Sequence, residues 1–238
     1  MHADTPVLDP VPAYALWAAS YPAHAHNPLM HAEERAMLAA MPTSLEGMAV
    51  VDAGCGSGRY LRHVLARGAA SATGVDLSPE MLHRAEEWIR ADQRERLTLR
   101  QGSITALPLG DGVADVTVCG LVVGHVPDLD AALAELCRVT KPGGEILCSD
   151  FHPVGQALGW RRDFRADGRR YAVRHTTHAY SRWHDACARL GLVVEGVFEP
   201  MLDPADIPPG ARFDPVALEV PVALVFRLRR SFLSRHGA

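Results

Sequence analysis

Apolar positions along this chain alternate between short continuous runs and runs spaced three and four residues apart. That pattern belongs to strands buried on both faces, separated by helices buried on one. Met48 to Val51 form the first run, and Tyr60, Leu61, Val64 and Leu65 then share one face of a helix starting near Ser57. Ala72 to Val75 predict a second strand. The spacing of Met81, Leu82, Ala85, Trp88 and Ile89 predicts a helix over 79–91, with Pro79 suited to its first turn. Strands are expected near 97–100 and 114–119. A helix over 128–139 follows, with Leu129, Leu133 and Leu136 on one face and Asp128 as its cap. Lys141-Pro142-Gly143-Gly144 stops it before a strand at 145–149, and a helix over 28–41, ended by Pro42, precedes the series. Strands and helices in alternation predict an α/β domain with a parallel sheet.

The pattern changes after residue 151. Asp167-Gly168 is a hairpin signal between Phe164 and the alternating Tyr171, Val173 and His175, which predicts a hairpin inserted as a lid within 152–180. A helix near 181–190 ending at Gly191, a strand near 192–198 and a last strand near 217–228 complete the chain.

The candidate chemistry gathers where the first strand ends. Asp52-Ala53-Gly54-Cys55-Gly56-Ser57-Gly58 sets three alternate glycines between a buried strand and a helix N-terminus, an arrangement that lets a ligand approach backbone amides. The dinucleotide fingerprint G-x-G-x-x-G needs its third glycine at position 59, where Arg59 stands, and Asp52 would repel a pyrophosphate. A nicotinamide-dependent oxidoreductase is thereby disfavoured. Asp76 ends the second strand 18 residues beyond Gly58, a separation at which a carboxylate accepts bonds from both ribose hydroxyls of an adenosine.

At these residues the chain resembles the class I S-adenosylmethionine-dependent methyltransferases, in particular the small-molecule type 11 domain. The resemblance spans about 48–151 and rests on four blocks in order: VVDAGCGSGRY (50–60), GVDLSPEML (74–82), LPLGDGVADVTVCGLVVGHV (107–126) and RVTKPGGEILCSD (138–150). It implies a Rossmann-like, doubly wound seven-stranded sheet of order 3-2-1-4-5-7-6 with strand 7 antiparallel. One domain over 1–238 is expected, divided into an N-terminal helical cap (1–45), a cofactor-binding core (46–151), the lid hairpin (152–180) and the rest of the sheet (181–238).

The same resemblance implies S-adenosylmethionine as co-substrate. Gly54, Cys55 and Gly56 would hold its methionine end, with Asp52 fixing the loop or the amino group and Gly58 leaving room. Asp76 would take the ribose, with Leu77 and Met81 against the adenine and Ser103 or the Ile104 amide at its edge. Many relatives carry Asp where Ser103 stands, which weakens that assignment. Cys119, Gly120 and Leu121 would lie beside the sulfonium. Tyr14 and Tyr21, in the aromatic segment before the fold proper, are further candidate contacts or plain packing. His125 and His152 follow strand ends that open on the ligand crevice and are the candidate bases, with a structural role as the alternative for each.

Composition narrows the partners. With 238 residues, 48% of them apolar, the chain can bury one sizeable core, and a net charge of -4 offers no global attraction for nucleic acid or an anionic membrane. Five scattered cysteines without a CxxC pair suit a reducing compartment, and the proline-bearing N-terminus lacks the pattern of a signal peptide, so a cytoplasmic location is expected. His24 with His26 and His175 with His178 have metal-like spacing but no third and fourth ligand nearby, so no metal is expected. Arg161, Arg162, Arg165, Arg169, Arg170 and Arg174 make the hairpin basic, either as a solvated face or as a site for a carboxylate- or phosphate-bearing acceptor. The expected function is methyl transfer to oxygen, nitrogen or carbon of a small molecule, releasing S-adenosylhomocysteine. The alternatives are a carboxylate on an acyl carrier protein as acceptor, and a non-catalytic S-adenosylmethionine-binding protein.

Overall fold

A computed structural model describes residues 5–210 and 213–232. In chain order the elements are β1 (Val7–Leu8), α1 (Pro10–Trp17), α2 (Pro28–Ala40), β2 (Ala49–Ala53), α3 (Arg59–Ala66), β3 (Ser71–Asp76), α4 (Pro79–Trp88), β4 (Leu97–Gln101) and β5 (Ala114–Gly120). They continue with α5 (Leu129–Val139), β6 (Thr140–Phe151), α6 (Pro153–Ala157), β7 (Asp163–Ala166), β8 (Arg169–Val173), α7 (Tyr180–Leu190), β9 (Leu192–Phe198) and β10 (Ala223–Arg230).

Seven strands form one sheet in the order β4-β3-β2-β5-β6-β10-β9. Neighbours from β4 to β6 are parallel, and β10 runs antiparallel to both β6 and β9. Renumbered for this sheet alone, that is 3-2-1-4-5-7-6 with strand 7 antiparallel, as the resemblance implied. The central strands lack alternation because both faces are covered. Val50, Val51 and Asp52 of β2 are all buried, and the strand lies between α3 on one side and α5 with α7 on the other. Helix starts follow local chemistry. Asp128 accepts from the Ala131 amide at 3.0 Å, and Ser78 accepts from the Met81 amide at 3.2 Å ahead of Pro79.

Besides β6, which begins at Thr140 rather than 145 and carries Lys141–Gly144 within it, three features depart from the sequence reading. Helix α4 stops at Trp88, and the chain then makes a short 3-10 turn over Ala91–Arg96. The last strand begins at Ala223 rather than 217. Pro215 opens a 3-10 turn and Pro221 has no N–H to offer a ladder, so pairing starts only beyond it. The third departure is β1. This two-residue strand pairs in parallel with β8 and makes a separate sheet of order β1-β8-β7 with the hairpin. The hairpin itself is as expected, its turn built on Asp167 and Gly168 at φ +49° and +73°. Trp17 of α1 stacks on Phe164 at 4.7 Å between centroids, so the N-terminal segment and the hairpin share an aromatic contact above the sheet.

Candidate functional site

The carboxyl ends of β2, β3 and β5 converge on a cavity of about 250 Å3, closed on the outer side by α1 and the approach to β7. This is the crevice where a doubly wound sheet receives its ligand. Strand β2 delivers Asp52, and its carboxylate is buried at the closed end. One oxygen, Oδ2, has no hydrogen-bond partner. Burial pushes this carboxyl up to about 7, and Asp76 adds to the rise while Arg59 opposes it. A buried carboxylate oxygen left unpaired is costly unless a cation or donor arrives, so this end of the cavity can receive a positively charged group.

The turn after β2 needs glycine for two reasons at Gly54. Its φ is +76°, and a Cβ there would come within 2.5 Å of the Val122 side chain. Across the turn, both oxygens of Asp76 accept backbone amides, from Gly56 at 2.8 Å and from Ser78 at 2.9 Å. Each retains lone pairs for a diol. Burial raises the Asp76 carboxyl above its ordinary range, and the amides of Ser78 and Gly56 work against that rise. Met81 packs under Gly56, and Leu77 stands half exposed at the rim.

Strand β5 contributes Gly120, where a Cβ would meet the Tyr60 ring at 2.3 Å. Behind that contact lies a buried network. Glu33 is fully buried and accepts from the Arg59 guanidinium at 2.8 Å, the Tyr60 hydroxyl at 2.7 Å and the Ser149 hydroxyl. Leu121, just beyond, adopts φ +58°, a conformation costly for a branched residue. It is held there because its amide donates to both the hydroxyl and the carbonyl of Ser149, each at 3.0 Å.

The outer wall is Tyr14, His125 and Arg162. Arg162 donates through Nη1 to the Tyr14 hydroxyl at 2.6 Å, to the Leu121 carbonyl at 3.1 Å and to His125 Nε2. The Tyr14 hydroxyl in turn lies 2.9 Å from the same imidazole nitrogen. Because a guanidinium only donates, Nε2 is the acceptor and the imidazole proton sits on Nδ1, facing the Arg174 carbonyl at 3.5 Å. Burial, then the charge of Arg162, hold His125 well below its ordinary pKa, so it is neutral at pH 7. Burial likewise pushes the Tyr14 phenol upward, keeping it protonated.

The cavity therefore assembles Tyr14, Tyr21, Asp52, Gly54, Cys55, Gly56, Asp76, Leu77, Met81, Ser103, Ile104, Gly120, Leu121 and His125. Three candidates lie off it. Gly58 sits at φ +85° as the residue before α3, under Ala85. Cys119 is buried within β5. His152 caps α6, with Nδ1 accepting the Val154 amide and Nε2 3.1 Å from Glu199, and it faces a second cavity between the end of β6 and the hairpin. The basic face of the hairpin is divided. Arg170 pairs with Asp163 and Arg174 with Asp9, while Arg162 turns inward to the cavity.

Arg59 and Arg162 are the two lining cations that the sequence reading gave no individual role. Arg59 was visible as the residue that breaks the dinucleotide spacing, and Arg162 only as one of six hairpin arginines. Among the described residues no group of three or more His, Cys, Asp or Glu is placed to hold a metal, and no helix is long and apolar enough to cross a membrane.

Comparison with known proteins places this geometry. Residues 51–148 match the family model described as a methyltransferase domain. Over 137 residues the chain is 40% identical to a malonyl-[acyl-carrier protein] O-methyltransferase of Erwinia billingiae, covering 58% of this chain and 51% of that protein. Over 129 residues it is 40% identical to a ubiquinone biosynthesis O-methyltransferase of Methylococcus capsulatus, covering 53% and 51%. The chain thus spans about half the length of these curated relatives. A crystal structure of an S-adenosylmethionine-dependent methyltransferase from Mesorhizobium loti superposes with a TM-score of 0.67 at 26% identity, covering 84% of this chain and 98% of that one. One from Listeria monocytogenes, at 18% identity, shares the fold with a TM-score of 0.70 over 84% and 97%. Residues 51–148 thus match a methyltransferase domain, and the sheet around them has the fold of these solved S-adenosylmethionine-dependent methyltransferase structures.

Proposed function

We propose that the protein binds S-adenosylmethionine in the cleft at the β2, β3 and β5 ends and transfers its methyl group to a small, anionic organic acceptor. The observation that carries the donor assignment is the unpartnered, buried Asp52 carboxylate beside the glycine turn. An ammonium satisfies it, and a pyrophosphate does not. The donor supplies an electrophilic methyl on a sulfonium. The residues present fit the rest of that molecule. Asp52 takes the amino group, and Arg59, held by Glu33, places a cation where the carboxylate belongs. Asp76 takes the ribose hydroxyls, and Leu77, Met81 and Ile104 flank the adenine. Gly120 and Leu121 adjoin the sulfur.

On the acceptor side the chain supplies positioning and exclusion of water rather than an evident strong base. His125 is neutral, with its Nε2 lone pair already shared between Arg162 and Tyr14, so it acts as a base only when Arg162 turns to another partner. Arg162 supports an anionic acceptor, since its hydrogen-bond partners are all neutral groups.

Release of S-adenosylhomocysteine from S-adenosylmethionine across a panel of carboxylates, phenols and malonyl-acyl carrier protein tests the activity. Turnover of at least one acceptor is expected, and binding of the donor without any turnover would favour a non-catalytic binding protein. Asp76→Ala is expected to weaken S-adenosylhomocysteine binding by about 1.5–3 kcal/mol, the scale of lost hydrogen bonds to a charged group. Titration calorimetry reads this directly, and an unchanged affinity removes Asp76 from the ribose site.

A further inference from the structure

We propose that the second cavity, on the far side of Arg162 from the donor cleft, seats the acceptor as an apolar organic anion whose head group is held by Arg162. This deepens the function proposed above and rests on it for the identity of the donor. The cavity has a volume of about 610 Å3, within the range of sites for small organic ligands. It lies between the end of β6 and the hairpin, and Arg162 is the one residue that lines both this space and the donor cleft among the described residues.

The charge in its wall is one-sided. Arg161, Arg162 and Arg174 line it, and among the described residues no Asp or Glu does. Arg174 is neutralised from outside by Asp9 at 2.6 Å. Arg162 is not neutralised. Its partners are the Tyr14 hydroxyl, the Leu121 carbonyl and the His125 imidazole, and it lies over the Phe151 ring at 4.7 Å. A partly buried guanidinium whose partners are all neutral retains most of its appetite for an anion. A sulfonium in the neighbouring cleft adds a second positive charge on the other side of the same wall. An anionic head at Arg162 relieves both, and it sits where the two cavities meet.

The rest of the wall asks for an apolar body. Phe151 and Trp160 present rings to the cavity, and Leu29 and Val173 present aliphatic surface. His175 at the same wall is fixed by Asp150, 3.1 Å from its Nε2. Carboxylate and phosphate heads share the chemistry a guanidinium recognises, so the test separates them.

The full chain is titrated by calorimetry, with and without saturating S-adenosylhomocysteine, using 2-naphthoate, 2-naphthyl phosphate and the uncharged 2-naphthamide. At least one anion is expected to bind tenfold or more tightly than the amide, and which anion does so names the head group. Arg162→Met is expected to abolish the preference and Arg162→Lys to keep part of it. Trp160→Ala, at a residue that lines the second cavity and not the donor cleft, is expected to weaken the anion at least fivefold while leaving S-adenosylhomocysteine binding unchanged. Equal affinity for anions and amide overturns the proposal, as does a preference that survives Arg162→Met or an anion affinity indifferent to Trp160→Ala. Failure of S-adenosylhomocysteine to bind the wild type overturns only the donor assignment, because the anion preference is read in its absence as well.

Discussion

Asp52→Asn is expected to weaken S-adenosylhomocysteine binding about 10- to 100-fold, the scale of a lost charge-assisted bond, and at the same time to raise the melting temperature of the ligand-free protein. The two effects have one origin. Burial moves the Asp52 carboxyl from 3.8 in the unfolded chain to about 7 in the fold, so the folded protein holds that proton more tightly. Its contribution to stability is complete below about pH 4, falls as pH rises, and has been lost by pH 8, a change of about 4 kcal/mol. The uncharged amide avoids that loss. At pH 8 the variant is therefore expected to melt several degrees higher, up to about 10 °C. Ligand binding has the opposite slope, because an ammonium prefers the ionised carboxylate. Wild-type affinity is expected to rise between pH 6 and 8 and that of the variant to stay flat. Calorimetry over that range and thermal melts at pH 8 check both halves, and an unchanged affinity would sink the assignment of Asp52 to the amino group.

Glu33→Ala is expected to cost about 3–5 kcal/mol of stability, with the melting temperature lowered by roughly 6–20 °C. The carboxylate is the common acceptor for Arg59, Tyr60 and Ser149, and all three are buried. Its removal leaves a guanidinium and two hydroxyls short of a partner where water does not reach. The damage spreads to the donor cleft. Tyr60 backs Gly120, Ser149 holds the left-handed turn of Leu121, and Arg59 lines the cleft itself. Glu33→Gln keeps an acceptor oxygen and loses the charge, so it is expected to fall between wild type and alanine. Thermal melts of the pair decide it: an alanine variant that melts with the wild type would show the network to be incidental.

The parts of this molecule that were legible in its sequence are those where chemistry is local. Asp52, the glycine turn and Asp76 lie within one strand-turn-helix-strand stretch, and their spacing follows from backbone requirements alone. The continuous apolar runs of β2 and β5 announced a sheet covered on both faces. What stayed hidden needs partners distant in the chain. The wall that joins Tyr14, His125 and Arg162 draws on three segments, and nothing within 160–178 distinguishes Arg162, which turns inward, from Arg170, which pairs with Asp163. Glu33 reads as the polar face of a helix until α2 is laid against β6 and α3. Strand β1 is two residues long, too short for any periodicity, and exists because β8 offers it a free edge. The late start of β10 was written in Pro221, but the apolar positions before it have the alternation of a strand, and alternation does not report a missing donor.

The small β1-β8-β7 sheet ties the segment before α1 to the hairpin through backbone bonds from Ala172 to the Pro6 carbonyl and from Arg174 to the Leu8 carbonyl, each 2.8 Å. One side of that leaf carries Tyr14, through α1, to the donor cleft, and the other carries Arg174 to the second cavity. A hairpin that lifted alone would break those bonds. Lifting the hairpin would therefore draw the segment before α1 with it, and with the two of them a residue of each cavity wall, Tyr14 and Arg174.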